Sequence, residues 1–208
     1  MSETPIPDHT VSYSDRDGQD VAVVEVLRTY AGDIADVWDA LTNPVRLPRW
    51  FLPVSGDLTL GGRYQLEGNA GGTITACDAP NSFASTWEFG GFTSWLAVTL
   101  TADGTDRTTV RLAHTVATDN DHWRQFGPGA VGIGWDLSFR GLGLHLATGG
   151  GLDPEAEQAW DISPEGVAYI TACGEAWFAA DTTGGAEAGA ARARADACVT
   201  FYTVAPEA

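Results

Sequence analysis

Six short apolar segments, separated by glycine pairs and other turn residues, occupy the middle of the chain and constrain its fold most. The segments lie at residues 55–60, 63–67, 73–77, 83–89, 94–101 and 108–116. Breaks such as Gly61-Gly62 and Gly90-Gly91 are typical of hairpin turns, because glycine accepts the backbone angles that tight turns require. Short strands that follow one another at this spacing favour an antiparallel meander.

Further elements are predicted on both sides of this meander. A valine-rich strand is expected over 20–30, and Asp33 is a good N-cap for a helix that continues to about Thr42. A second helical turn is expected at 46–50. Three more helices are predicted at the end of the chain, over 129–147, 163–181 and 186–203. The first of these contains several glycines, each of which weakens a helix by about 1 kcal/mol.

Period-two alternation predicts one apolar, aromatic face for the sheet. A sheet with one such face needs a covering element, and the segment 129–147 is the natural candidate. A curved sheet around a long helix leaves a space between them. Aromatic side chains with one or two polar groups are the usual lining of a small-molecule pocket. The residues expected to line this space are Trp87, Phe89, His114 and Trp135.

Charge and composition exclude several classes of function. The 208 residues include 28 acidic and 11 basic side chains, which gives a net charge of −17, and none of them is lysine. A surface with this much negative charge repels phosphate backbones and anionic lipids. No nucleic-acid partner is therefore expected. Schiff-base chemistry and the usual phosphate loop both need a lysine. No run approaches the roughly 18 apolar residues of a spanning helix, so membrane insertion is not expected.

The cysteine and histidine patterns predict neither a metal site nor a cofactor. Cys77, Cys173 and Cys198 lie far apart and form no CxxC pair. Such a sparse set is typical of inert thiols in a reducing compartment, and the polar N-terminal segment has no signal-peptide character. The protein is therefore expected in the cytoplasm. His114 and His122 have no recognised metal-ligand spacing.

The order of motifs resembles the SRPBCC, or START-like, superfamily, and within it the branch that is similar to activators of heat-shock-protein-90 ATPase. The resemblance covers about residues 20–148. The matching stretches are YAGDIADVWDALTNPVRLPRWF (30–51), GDLTLGGRYQLEG (56–68), GGTI (71–74), STWEF (85–89), TTVRLAHT (108–115) and Gly134-Trp135.

This resemblance implies an α+β helix-grip fold, with a seven-stranded antiparallel sheet wrapped around a long C-terminal helix and a hydrophobic cavity between them. Members bind lipids, sterols, polyketides or other apolar molecules, and some are enzymes. On the family pattern, Trp50, Trp87, His114 and Trp135 correspond to positions in the pocket or at its rim. Together with the alternation, this predicts six ligand-binding residues, which are Trp50, Tyr64, Trp87, Phe89, His114 and Trp135.

The chain departs from the family pattern at both ends. Residues 1–18 are expected to form a flexible acidic leader, residues 19–148 the START-like domain, and residues 149–208 additional helices packed on the same domain. Those helices could cover the mouth of the cavity or form a homodimer surface, and the sequence leaves both open.

Three functions follow from these observations. The first is a cytoplasmic protein that binds a small hydrophobic ligand in the aromatic cavity. The second is an enzyme similar to polyketide cyclases and aromatases, with His114, or a tyrosine such as Tyr64, as its proton carrier. The third is a co-chaperone-like interaction protein that uses the additional helices. The enzyme needs two convergent polar groups, and the sequence offers one good inward candidate, so no catalytic residue is assigned.

Two side-chain environments are also predicted. His114 can be a polar anchor in the pocket or a neutral core histidine. Asp136 and Arg140 stand four residues apart in the predicted helix 129–147, which predicts an ion pair on its solvated face. His9 is expected at the surface and His145 within a helix.

Overall fold

Eight strands and six α-helices make up residues 5–204, the part of the chain that the computed structural model describes. The strands are β1 (Asp8–Arg16), β2 (Gln19–Ala31), β3 (Val54–Gly56), β4 (Arg63–Leu66), β5 (Gly71–Asp78), β6 (Ser82–Phe89), β7 (Phe92–Ala102) and β8 (Arg107–Ala117). The helices are α1 (Ile34–Thr42), α2 (Asp121–Phe126), α3 (Gly129–Thr148), α4 (Pro154–Asp161), α5 (Pro164–Thr183) and α6 (Ala188–Thr203), and a short 3₁₀ helix spans Leu47–Arg49.

The strands form one antiparallel sheet in the order β1-β2-β8-β7-β6-β5-β4-β3. With its long helix α3, this is the α+β helix-grip architecture that the sequence predicts. The sheet has eight strands rather than the expected seven, because part of the acidic N-terminal segment forms β1. Asp17 and Gly18, with φ of 56° and 83°, form the turn into β2. An Asp-Gly pair in this conformation is a strong hairpin signal, and the sequence interpretation passed over it.

The predicted starts of helices α1 and α5, which were based on capping residues, are confirmed. Asp33 is the N-cap of α1 and accepts a hydrogen bond from the backbone N–H of Asp36, and Ser163 caps α5 in the same way. Helices α2 and α4 were not predicted. Their caps, Asn120 and Asp153, have the same chemistry but were not used as helix start signals. No helix among residues 5–204 combines the length and apolar character that a membrane crossing requires.

The described residues divide into two compact units. We call residues 27–116 and 138–152 the sheet unit, and residues 5–26, 117–137 and 153–204 the helical unit. Both β2 and α3 contribute residues to each unit. The division into leader, domain and additional helices remains a prediction.

The glycines of α3 allow neighbouring helices to approach it closely within the helical unit. A Cβ atom at Gly132 would collide with the indole ring of Trp177 in α5. A Cβ atom at Gly129 would stand 2.8 Å from the Sγ of Cys198 in α6, which is also too close for real atoms. The helix therefore tolerates residues of low helix propensity because each missing side chain makes room for a buried neighbour.

Candidate functional site

One face of the sheet unit is buried, as the alternation predicts. Leu96 in β7 is the register partner of Ser85 in β6 and of His114 in β8. The exposed fractions of these three residues are 7%, 3% and 2%. The same face carries the other buried residues of these strands, which are Val98, Leu100, Thr108, Val110 and Leu112. Polar side chains therefore stand in a row on an otherwise apolar surface.

His114 is the most deeply buried polar group of this row. Its Nε2 lies 2.8 Å from the Oγ of Ser94, and its ring meets the Trp87 ring edge-on at a centroid distance of 5.8 Å. Burial lowers the pKa of His114 to about 4, because the charged imidazolium is poorly solvated there. The imidazole is therefore neutral near pH 7 and can donate or accept one hydrogen bond at each nitrogen, according to its tautomer.

Ser94 connects the imidazole to the strand beside it. Its Oγ is 3.1 Å from the backbone carbonyl oxygen of Trp87, to which it can donate its single proton. If the Ser94 hydroxyl donates to this carbonyl, its oxygen accepts from Nε2–H of His114. If it donated to Nε2 instead, the Trp87 carbonyl would lose this donor. The first arrangement satisfies more groups, so it favours the Nε2–H tautomer.

Tyr64 brings a second polar group to the same face from β4. Its hydroxyl donates to the backbone carbonyl oxygen of Thr86 at 2.8 Å and lies 3.4 Å from the Oγ of Ser85. Burial raises the pKa of Tyr64 above its usual value, so the phenol remains protonated. Tyr64, Ser85, Ser94 and His114 are thus neutral polar side chains on this face, in addition to the buried Thr108 near the start of β8.

The remaining predicted ligand-binding residues have different surroundings. Trp50 is partly buried, and its Nε1–H donates to the backbone carbonyl oxygen of Ala40 at 2.9 Å. Phe89 shares its side of β6 with Trp87 but is 58% exposed at the strand end. Trp135 is 9% exposed and belongs to the part of α3 in the helical unit. The structure brings Trp87 and His114 together, and the ligand contacts of all six residues remain predictions.

Within the sheet unit, the second half of α3 is held against neighbouring elements by polar contacts. The Tyr30 hydroxyl donates to the backbone carbonyl oxygen of Phe139 at 2.9 Å. His145 is 1% exposed, and its Nε2 accepts from the Nε of Arg46 at 3.0 Å. Its Nδ1 must then carry the proton that reaches the carbonyl oxygen of Gly150 at 2.6 Å. This fixes one neutral tautomer of a histidine that was expected only to be helical.

The helical unit contains a buried polar cluster that sequence reasoning missed. Asp136 is fully buried, so its predicted place on a solvated helix face is wrong, and Arg140 is 9% exposed. The Oδ1 of Asp136 lies 2.6 Å from the Nε2 of His9, whose side chain is only 3% exposed rather than at the surface. Trp177 donates from Nε1 to Oδ2 at 2.8 Å. Burial raises the pKa of Asp136, and the hydrogen bonds from its neighbours oppose this rise.

A second buried carboxylate lies in the same unit. Asp181 is 1% exposed and accepts hydrogen bonds from the Tyr13 hydroxyl and from Nη1 of Arg194, the latter at 3.4 Å. His9 and Tyr13 belong to β1, so this strand supplies one donor to each buried carboxylate. No periodicity in the sequence reveals these pairs, because their members are 127 and 168 residues apart.

In the described part of the chain, metal-ligating side chains are grouped neither on the buried sheet face nor around the two buried carboxylates. Within residues 5–204, no group of three or more His, Cys, Asp and Glu side chains is placed to hold a metal ion. The sheet face presents neutral hydrogen-bonding groups beside the aromatic ring of Trp87.

Comparisons with known proteins agree on the fold. The sequence model of the family described as Activator of Hsp90 ATPase homolog 1-like protein matches residues 32–147. The crystal structure of CalU16 from Micromonospora echinospora is similar, with 28% identity, coverage of 84% of this chain and 97% of that one, and a TM-score of 0.67. Its solution NMR structure has the same identity, coverage of 88% and 100%, and a TM-score of 0.71.

A more distant likeness extends to the fold alone. DynU16, from the dynemicin biosynthetic locus, is 21% identical, with coverage of 62% of this chain and 48% of that one and a TM-score of 0.55. No curated protein matches the chain by sequence.

Proposed function

Because the chain belongs to the Activator of Hsp90 ATPase homolog 1-like protein family, we propose that it binds a small hydrophobic molecule against the aromatic face of its sheet unit. The observation that carries this proposal is the placement of a neutral, buried His114 beside the ring of Trp87. Small-molecule sites are mostly apolar and use a few well-placed polar groups to orient the ligand. This face has that composition.

Each side chain has a defined role in the proposed site. Trp87 offers an aromatic surface to a flat or elongated ligand, and His114 is a neutral polar group beside that ring. Tyr64 adds a protonated hydroxyl on the same face. Trp50, Phe89 and Trp135 are retained from the sequence prediction as further ligand contacts.

We propose the cytoplasm as the place of action. Three free thiols support a reducing compartment, because Cys77 is exposed while Cys173 and Cys198 are buried and none of them is paired.

Native mass spectrometry of the purified protein tests the binding function. We expect a bound small molecule in the wild type and a loss of at least tenfold in its occupancy in Trp87→Ala. Trp95→Ala is the matched control, because Trp95 lies on the neighbouring strand with its side chain on the opposite face. Occupancy that is equal in the two variants, or a wild type that carries no small molecule, would contradict the proposal.

A cyclase-like reaction is the second candidate, and the additional polar groups on the sheet face favour it. A neutral His114 can accept a proton from an activated carbon, and the Tyr64 hydroxyl, whose own proton is donated to the carbonyl oxygen of Thr86, can accept a hydrogen bond from a substrate hydroxyl. Turnover of a poly-β-ketone thioester should then fall by at least a hundredfold in His114→Gln. Unchanged turnover in that variant would remove the histidine from the chemistry.

A further inference from the structure

Two phenylalanines form an exposed apolar tip on the β6–β7 hairpin. Phe89 and Phe92 are 58% and 70% exposed and face each other as the last pair of the ladder. Directly opposed residues of an antiparallel pair project from the same side of the sheet, so both rings lie on one side. Gly90 and Gly91, with φ of 60° and 83°, close the turn between them. The two-residue turn makes the tip short, convex and stiff.

The tip carries no unbalanced charge, although the protein as a whole is strongly anionic. Between Thr86 and Trp95 the only charged residue is Glu88. Its Oε2 lies 2.7 Å from Nη2 of Arg63, so the one carboxylate of this hairpin end is already paired. A neutral aromatic tip thus projects from a chain of net charge −17.

The shape and charge of the tip discriminate among its partners. A stable protein interface buries roughly 800 Å² on each side, which a convex tip two residues wide does not supply. A second copy would also bring another net charge of −17 close to the first. Phenylalanine is among the side chains that bury at the headgroup–acyl boundary when a protein binds a bilayer peripherally. Anionic lipid would repel the protein, whereas zwitterionic lipid would not.

We propose that the rings of Phe89 and Phe92 dock this hairpin tip peripherally on a zwitterionic lipid surface. The contact requires two side chains at headgroup depth and no spanning helix. Phe89 stands two residues after Trp87 on the same side of β6, so the docked tip continues the aromatic row of the sheet face. Docking does not depend on whether that face holds a ligand.

Co-sedimentation with sucrose-loaded phosphatidylcholine vesicles tests this proposal. We expect the wild type to sediment with the vesicles and the double variant Phe89→Ser/Phe92→Ser to lose at least tenfold in partition coefficient. Val45→Ser/Leu60→Ser is the matched control, because it removes two residues that are 81% and 64% exposed elsewhere in the sheet unit, and it should remain within twofold of the wild type. Replacing part of the phosphatidylcholine by phosphatidylserine should weaken binding.

Four results would overturn the proposal. They are a wild type that stays in the supernatant, equal loss of binding in both double variants, stronger binding to anionic vesicles, and a wild-type dimer that only the phenylalanine variant dissociates. The last result would assign the tip to a second copy. Circular dichroism of each variant verifies that it is folded, which is expected because all four positions are exposed.

Discussion

Replacement of His114 by Gln should remove a pH-dependent part of the protein's stability. Gln can keep a hydrogen bond at the position of Nε2, next to Ser94, but it cannot be protonated. Burial lowers the pKa of His114 from 6.5 to about 4, so the unfolded chain takes up a proton on acidification before the folded protein does. This difference stabilises the fold above pH 6.5, and the stabilisation is lost as the pH falls towards 4.

The size of the effect follows from the two pKa values. Relative to pH 7.5, the loss is about 1.4 kcal/mol at about pH 5.5 and about 2.5 kcal/mol at about pH 4.5, since one pKa unit corresponds to about 1.4 kcal/mol. A loss of that size is a large share of the 5–15 kcal/mol that is typical of a folded domain. The variant should lack this component, whatever its stability at neutral pH.

Urea denaturation at a series of pH values measures this pH-dependent contribution of His114 to stability. The free energy of unfolding of the wild type minus that of His114→Gln should fall by the stated amounts on acidification, because other titrating groups cancel in the difference. The exposed His122 provides a control, and His122→Gln reports what removal of a histidine does outside the buried face. A wild-type minus His114→Gln difference that stays constant from pH 7.5 to 4.5 would refute the burial argument, as would an NMR titration of His114 near pH 6.5.

Three further substitutions test the packing of the helical unit, and Gly143→Ala in the sheet unit is a control for one of them. Each is measured by its effect on the urea-induced unfolding free energy. Asp136→Ala leaves two buried donors without their acceptor and should cost about 3 kcal/mol, and a loss below 1 kcal/mol would contradict its place in a satisfied cluster. Gly132→Ala places a methyl group against the indole ring of Trp177 and should cost about 2 kcal/mol. In Gly143→Ala the new Cβ would meet only atoms at 3.4 Å or more, so this control should be neutral or stabilising. Tyr13→Phe removes a donor to the buried Asp181 and should cost about 2 kcal/mol, and equal stability would show that this hydrogen bond contributes nothing.

The candidate site was predictable to the extent that it depends on local pattern. Alternation along β8 was enough to place His114 on the buried face, because successive strand residues point to opposite sides. The same rule placed Phe89 on that side of β6, but it could not predict that the strand end is uncovered. The same alternation aligns Ser85 with Trp87, and it could also have placed Ser94, which shares the alternation of Leu96 on β7.

Local chemistry along the sequence determined the strands of the meander, the capped helices and the sidedness of the sheet, since turns, caps and periodicity act over a few residues. Tertiary structure alone decided that Asp136 is buried with His9 and that Gly129 and Gly132 of α3 face other helices. Those outcomes depend on which distant segments meet, and residues that are more than a hundred positions apart leave no periodic trace of their contact.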